Sequence, residues 1–186
     1  MADVRDSIRI ENVVATASFN QRFNLYAIVK GNPGVDYRPE KFPGLVFRLK
    51  KPKTAILIFS TGKMVCTGAK SEKEAKRAVK KVVKELKKSG IIIPGKPEIK
   101  VVNMVASANL LGRIELEEAA CSLDRTMYEP EQFPGLIYRM DEPKVVILLF
   151  ASGKIVCTGA TKEEDVYTAV AKLHKQLKEK ELIEYE

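Results

Sequence analysis

The 186-residue chain is 45% hydrophobic and 30% charged, the balance of a folded globular protein rather than a disordered one. Its apolar runs are short, as at residues 55–59, far from the roughly 20 residues a membrane helix needs, and its first residues hold no signal-peptide apolar core. The net charge of +8 is uneven: residues 1–95 carry 20 Lys and Arg against 8 Asp and Glu (+12), and residues 96–186 carry 12 against 16 (−4). This permits a polyanionic partner without establishing one, and the protein is expected to stay in the compartment where it is made.

In chain order, residues 8–19 are rich in β-branched side chains without a breaker and predict a strand. Residues 22–30 place Leu25, Ile28 and Val29 at helical spacing, and Gly31-Asn32-Pro33 ends that helix. A brief strand is expected at 35–38. Three more follow at 44–50, 54–59 and 63–69, joined by tight turns at Lys51-Pro52 and Thr61-Gly62. Ser71 and Glu74 form a capping-box pattern. The helix they open runs to about Lys88, with Ala75, Ala78, Val79, Val82, Val83 and Leu86 as its apolar stripe, and Ser89-Gly90 stops it. Residues 91–98 look like a linker.

The chain then repeats itself. A shift of 91 residues takes Asn12 to Asn103, Phe42-Pro43-Gly44-Leu45 to Phe133-Pro134-Gly135-Leu136, and Val65-Cys66-Thr67-Gly68-Ala69 to Val156-Cys157-Thr158-Gly159-Ala160. Laid on 99–178, residues 8–87 match at 34 of 80 positions, far above chance. Two units are therefore expected, 1–95 and 96–186, most simply forming one pseudo-symmetric body. In the second, Thr161 and Glu164 read as the capping box and Val166, Ala169, Val170, Leu173 and Leu177 as the stripe. His174 falls off that stripe and reads as a surface residue, and 179–186 as a frayed acidic end.

The strands carry an anomaly. A sheet covered by helices on one side should alternate apolar and polar residues. In 54–59 both parities are apolar, and in 145–150 Val146, Leu148 and Phe150 occupy the face the helices leave uncovered. Such a face is either buried by another body or an interaction surface. Asn12 and Asn103 sit mid-strand in phase with it, and a side-chain amide can donate to the adenine N3 and thymine O2 acceptors of an A·T minor groove. Val14, Val105, Thr67 and Thr158 are short enough to lie against a groove floor. Arg48 and Arg139 share this face at its edge, where phosphates would lie. Phe42 with Phe59, and Phe133 with Phe150, make two aromatic pairs of the kind that wedge between base steps.

The segments 11–16, 133–140 and 152–160, together with the direct repeat that holds them, resemble the TATA-binding protein family over about residues 8–182. The short N-terminus makes the chain resemble an archaeal member. The resemblance implies an α+β saddle: two tandem repeats of about 90 residues forming one curved ten-stranded antiparallel sheet, with four helices on its convex face. It implies a general transcription initiation factor, in the cytoplasm at the nucleoid, that binds TATA-box duplex and recruits transcription factor B and RNA polymerase. Asn12, Asn103, Thr67 and Thr158 would make the central hydrogen bonds. Phe42, Phe59, Phe133 and Phe150 would be the wedges. Val14, Val65, Val105, Val156, Leu57 and Leu148 would touch base edges, and Arg48 and Arg139 would hold phosphates. Transcription factor B would dock on the acidic segment containing Glu129, Glu131 and Gln132.

No cofactor or metal site is expected. Cys66, Cys121 and Cys157 are odd in number, form no C-x-x-C pair and read as reduced, buried thiols. No Cys–His or Ser–His pairing suggests catalysis, and Gly62-Lys63 and Gly153-Lys154 lack the glycine-rich approach of a phosphate loop. Two other readings of the apolar face stay open: a platform for single-stranded nucleic acid, which would place aromatics mid-sheet, and a protein-binding or self-associating sheet. Homodimerisation through the same face is compatible with DNA binding. The Lys-rich helix 71–88 reads as a solvated face or as a docking surface for another factor or for flanking DNA.

Overall fold

β-Branched and aliphatic residues at alternating positions make the strands, and the computed structural model, which describes residues 3–185, shows what each parity does. The strands are β1 (Arg9–Ser18), β2 (Leu45–Lys50), β3 (Lys53–Ile58), β4 (Lys63–Ala69), β5 (Glu98–Asn109), β6 (Arg113–Ile114), β7 (Thr126–Met127), β8 (Leu136–Met140), β9 (Val145–Leu149), β10 (Lys154–Ala160) and β11 (Ile183–Glu184). The helices are α1 (Leu25–Gly31), α2 (Glu72–Lys88), α3 (Leu116–Ser122) and α4 (Glu163–Glu179). None is long and apolar enough to cross a membrane.

The chain packs as two compact units, one being Asn12–Val102 and the other the rest of the described residues. In the first, the antiparallel order is β2-β3-β4-β1; in the second it is β5-β10-β9-β8-β7, with β11 paired separately to β6. The two orders hold nine strands among the described residues, where the family resemblance implies ten. The segment expected as a strand at 35–38 makes only one bridge, Asp36 to Val46. Its counterpart in the second unit manages two residues, β7, against β8.

Within each unit the long helix covers one sheet face. α2 packs on β3 and β4, and α4 on β10. Ala75, Ala78, Val79, Val82 and Leu86 are fully enclosed with Ile56, Ile58, Met64 and Cys66 beneath them. Truncating Leu86 to Ala should therefore cost about 2–5 kcal/mol, the usual range for a collapsed core site, read as a lower urea midpoint. α2 starts as expected, with Ser71 Oγ accepting from Glu74 N at 3.0 Å.

Three expectations are corrected. The cap of α4 is Lys162, with no side-chain cap bond, and not Thr161. Lys162 stands 91 residues after Ser71, so the Thr161–Glu164 reading was one residue out of phase with the repeat. The short first helix begins at Leu25 rather than 22, because Asn24 caps it by accepting from Ala27 N at 3.2 Å. Through Tyr185 the C-terminal segment is not frayed, Glu186 lying outside the described residues: Leu182 and Ile183 are buried, and Ile183 pairs with Ile114. That strand also brings Tyr185 Oη to 2.5 Å from Nε2 of His174, which is half-buried rather than purely superficial. Burial lowers the His174 pKa, with Lys178 adding to the effect.

The cysteines divide. Cys66 and Cys157 are enclosed in the core, and burial raises each thiol to about 11. Cys121 is exposed on α3, against the expectation of three buried thiols. A raised pKa leaves the two core thiols protonated near neutrality, and their burial denies access. Iodoacetamide at about pH 8 should thus label the native chain only at Cys121 and label all three cysteines once the chain is unfolded, as counted by mass.

Candidate nucleic-acid interface

The sheet face away from the helices is open in each unit. In β1, Val13, Ala15 and Ala17 are buried while Asn12, Val14 and Thr16 are only half-buried. Antiparallel pairing sets residues directly opposite one another on the same face. Arg48 pairs with Ala55, Val46 with Leu57, and Leu57 with Val65, while Ala55 pairs with Thr67. Leu57, Val65, Thr67, Val14 and Asn12 therefore share the open face, with Arg48 exposed on β2, an end strand of that unit's order. The second unit repeats this with Val105, Val156, Leu148 and Thr158, and Arg139 pairs with Val146. The apolar residues that broke the expected alternation are thus the half-exposed set.

Asn12 is tied into this face by the backbone. The β1–β4 register slips between Val13 and Ala15, at a bulge where Gly68 adopts φ +96°. The Gly68 N–H freed by the bulge donates to Asn12 Oδ1 at 2.7 Å, and Asn12 Nδ2 donates to Thr67 Oγ1 at 3.3 Å. The second unit repeats the arrangement: Gly159 has φ +101°, its N–H donates to Asn103 Oδ1 at 2.8 Å, and Asn103 Nδ2 lies 3.5 Å from Thr158 Oγ1. With its oxygen engaged by a backbone donor, each amide keeps one N–H to offer, and each threonine keeps its hydroxyl hydrogen. Each site thus presents two free hydrogens, the second amide N–H and the threonine O–H, beside the remaining lone pairs of oxygens that each already accept one bond.

The phenylalanines pair as read from sequence. Phe42 and Phe59 meet edge to face with centroids 5.9 Å apart, and Phe133 and Phe150 at 5.8 Å. Phe42 and Phe133 remain 41% and 37% exposed, unusual for a ring that could have been buried. The Phe-Pro-Gly order has a steric reason. A Cβ on Gly44 would lie 2.7 Å from Phe42 and 3.0 Å from Phe59, and Gly135 repeats both distances against Phe133 and Phe150.

Glu129, Glu131 and Gln132 are exposed on a turn that runs into Phe133, where the Gln132 and Phe133 amides both donate to the Glu129 carbonyl. Sequence reading missed a groove in the second unit, where Arg9, Glu11, Ser107, Asn109 and Lys154 line one part and Phe150, Ile155 and Val156 another. There Ser107 Oγ donates to Glu11 at 2.8 Å. The signal was available, since Ser107 and Asn109 alternate in phase with Asn103 and Val105. Among the described residues no group of His, Cys, Asp or Glu could hold a metal ion.

The model of the family described as transcription factor TFIID, or TATA-binding protein (TBP), matches residues 7–89 and again 98–180. The chain belongs to the TATA-binding protein family. A TATA-box-binding protein of Pyrobaculum calidifontis is 54% identical over 179 residues, covering 96% of this chain and 90% of that protein. One from Sulfolobus acidocaldarius is 55% identical over 172 residues, covering 92% and 87%. The solved structure of Methanococcus jannaschii TBP superposes with a TM-score of 0.85 at 49% identity, covering 93% of this chain and 99% of that one. TATA-binding proteins are transcription initiation factors and not enzymes, and the relatives found here are archaeal.

Proposed function

We propose that the open faces of the two units bind the minor groove of TATA-box DNA, with the Asn–Thr pairs selecting A·T base pairs. The observation that carries this is the polarity of the pinned amides. A bulge N–H on each oxygen fixes which way the amide is turned, so its nitrogen keeps a free N–H beside the threonine hydroxyl. The floor of an A·T minor groove offers only acceptors, whereas a G·C pair adds the guanine amino donor. Two donors face to face leave both unsatisfied, at about 1–3 kcal/mol per group. The half-buried Val14, Val65, Leu57, Val105, Val156 and Leu148 present short apolar surface suited to the groove walls, and Arg48 and Arg139 suit the phosphates.

The two phenylalanine pairs act as wedges between base steps, which bends the duplex. Each glycine after the Phe-Pro leaves room for its pair, so Gly44→Val and Gly135→Val should displace the rings and reduce bending, read by energy transfer between the duplex ends, more than they reduce affinity. The chain then recruits transcription factor B and RNA polymerase to nucleoid DNA, with Glu129, Glu131 and Gln132 as the docking turn. The equivalent first-unit turn carries Arg38 and Lys41 where Glu129 and Gln132 stand, and that difference would orient assembly. Reversing Glu129 and Glu131 to Lys should leave the DNA shift intact and abolish the supershift by transcription factor B; unchanged recruitment would place the factor elsewhere.

The alternative of a single-strand platform is disfavoured by the mid-face residues, which are Val, Thr and Asn rather than aromatics. A competition gel shift decides between them. A labelled TATA duplex should be displaced by unlabelled TATA duplex and not by single strands or G·C-scrambled duplex. Equal competition by single strands would end the minor-groove reading.

A further inference from the structure

We propose that the solvent face of α2 is a second contact for duplex DNA, one that grips the phosphate backbone without reading sequence. The buried stripe of α2 packs on β3 and β4, so its opposite side is free to meet a partner. On that side Lys73, Arg77, Lys80, Lys84 and Lys87 are all exposed. At 3.6 residues per turn they lie within about 40° of a single line and extend along about 21 Å of helix. The helix's acids, Glu72, Glu74 and Glu85, fall at the margins of this row. Two of them are occupied by Lys76, at 3.3 Å from Glu72, and Lys88, at 3.7 Å from Glu85. Among the described residues no salt bridge engages the five central cations.

Three features favour a nucleic-acid backbone over an acidic protein. The row is of one sign and evenly stepped, as a line of phosphates requires. No large apolar side chain of α2 is exposed, so the anchors that supply most protein-interface energy are missing. The row also belongs to the first unit alone. The same five positions of α4 are Glu164, Thr168, Ala171, Lys175 and Lys178. The fold therefore does not demand these charges, and the 34 matches between the repeats do not include three of the five. Because this face lies across the helix from the sheet of its unit, a short duplex on the open face leaves it free.

The test uses the whole chain and a variant carrying Lys73→Gln, Arg77→Gln, Lys80→Gln, Lys84→Gln and Lys87→Gln, changes that retain helix propensity. Each is first saturated with a short unlabelled TATA duplex. A fluorescent G·C-only duplex is then titrated in, with anisotropy read from about 50 to 200 mM salt. The saturated wild type should bind the second duplex with a log–log salt slope of about −4.5, for five phosphate contacts. The variant should lose about tenfold or more at low salt, with a flatter slope, while still binding the TATA duplex. Equal binding by variant and wild type overturns the proposal, as does exclusion of the second duplex by the first. Variant-sensitive binding of polyglutamate without binding of duplex overturns it too, in favour of an acidic protein. A chain that ignores the TATA duplex yet keeps the variant-sensitive component would sink the open-face reading and leave this one standing.

Discussion

Replacing Asn12 and Asn103 together by Asp should lower affinity for a TATA duplex by roughly two to four orders of magnitude, at about 1–3 kcal/mol per site. The substitution is nearly isosteric. A carboxylate at position 12 still accepts from Gly68 N, which lies 2.7 Å from the present oxygen, so the bulge keeps its partner. What changes is the outward atom. A donor becomes a charged acceptor, facing the acceptors of the base edges and the negative potential of the groove. The two amides share no side-chain partner. Titration of a labelled duplex, with thermal melting of each variant as the folding control, separates the outcomes. A large affinity loss with a preserved melt supports the donor assignment, and intact affinity refutes it.

A stability loss as large as a core truncation is expected at a turn. Gly62 has φ +100°, and a Cβ there would lie 2.0 Å from the Gln21 carbonyl oxygen and 2.8 Å from that of Phe19. Both neighbours are backbone, so no side-chain rotation relieves the overlap. The segment that must yield is bonded back to the same turn, since Phe19 N donates to the Gly62 carbonyl at 2.9 Å and Phe23 N to that of Ser60 at 3.0 Å. Gly62→Ala should cost about 3 kcal/mol or more, the left-handed strain plus a backbone displacement, and lower Tm by roughly 6–12 °C. Gly153→Ala should behave alike, its Cβ meeting the Gly112 carbonyl oxygen at 2.1 Å. Gly34 separates the two contributions. Its φ is +98°, but nothing lies within 4 Å of a Cβ, so Gly34→Ala should show the strain alone, about 1 kcal/mol. Equal losses at Gly34 and Gly62 would remove the steric part of the argument.

Much of the fold was legible because the repeat wrote it twice. The stripe from Ala75 to Leu86 and its partner from Val166 to Leu177 are periodic enough to name the buried faces. The apolar excess in 54–59 and 145–150 pointed to an open face because helices can cover only one side of a sheet. The amide at Asn12 was visible as an oddity in a strand, but its orientation was not. That depends on a bulge at Gly68, 56 residues away, whose N–H has no strand partner. The half-strand at Asp36 and the strand at Ile183 were misjudged for a related reason. Each is defined by a single distant neighbour, Val46 or Ile114, and local composition does not encode that pairing. The capping error at Thr161 came from local chemistry overriding the repeat register, which places Lys162 opposite Ser71. The Phe-Pro-Gly motif was recognised as a repeat, but only the distances from Gly44 to the two rings explain why glycine stands there.

The central claim is that donors on an open sheet face read the acceptors of the minor groove, and base analogues test it without touching the protein. Inosine lacks the guanine amino group, so an inosine·cytosine pair presents an A·T-like minor groove and a G·C-like major groove. Affinity should be measured for three duplexes: the TATA element, the same element with each A·T pair replaced by inosine·cytosine, and the same with G·C. The inosine duplex should bind within a few-fold of the TATA duplex, while the G·C duplex should be lost among non-specific competitors. An inosine duplex that binds as poorly as G·C would contradict that claim, because sequence would then be read from the major groove or from another face of the protein.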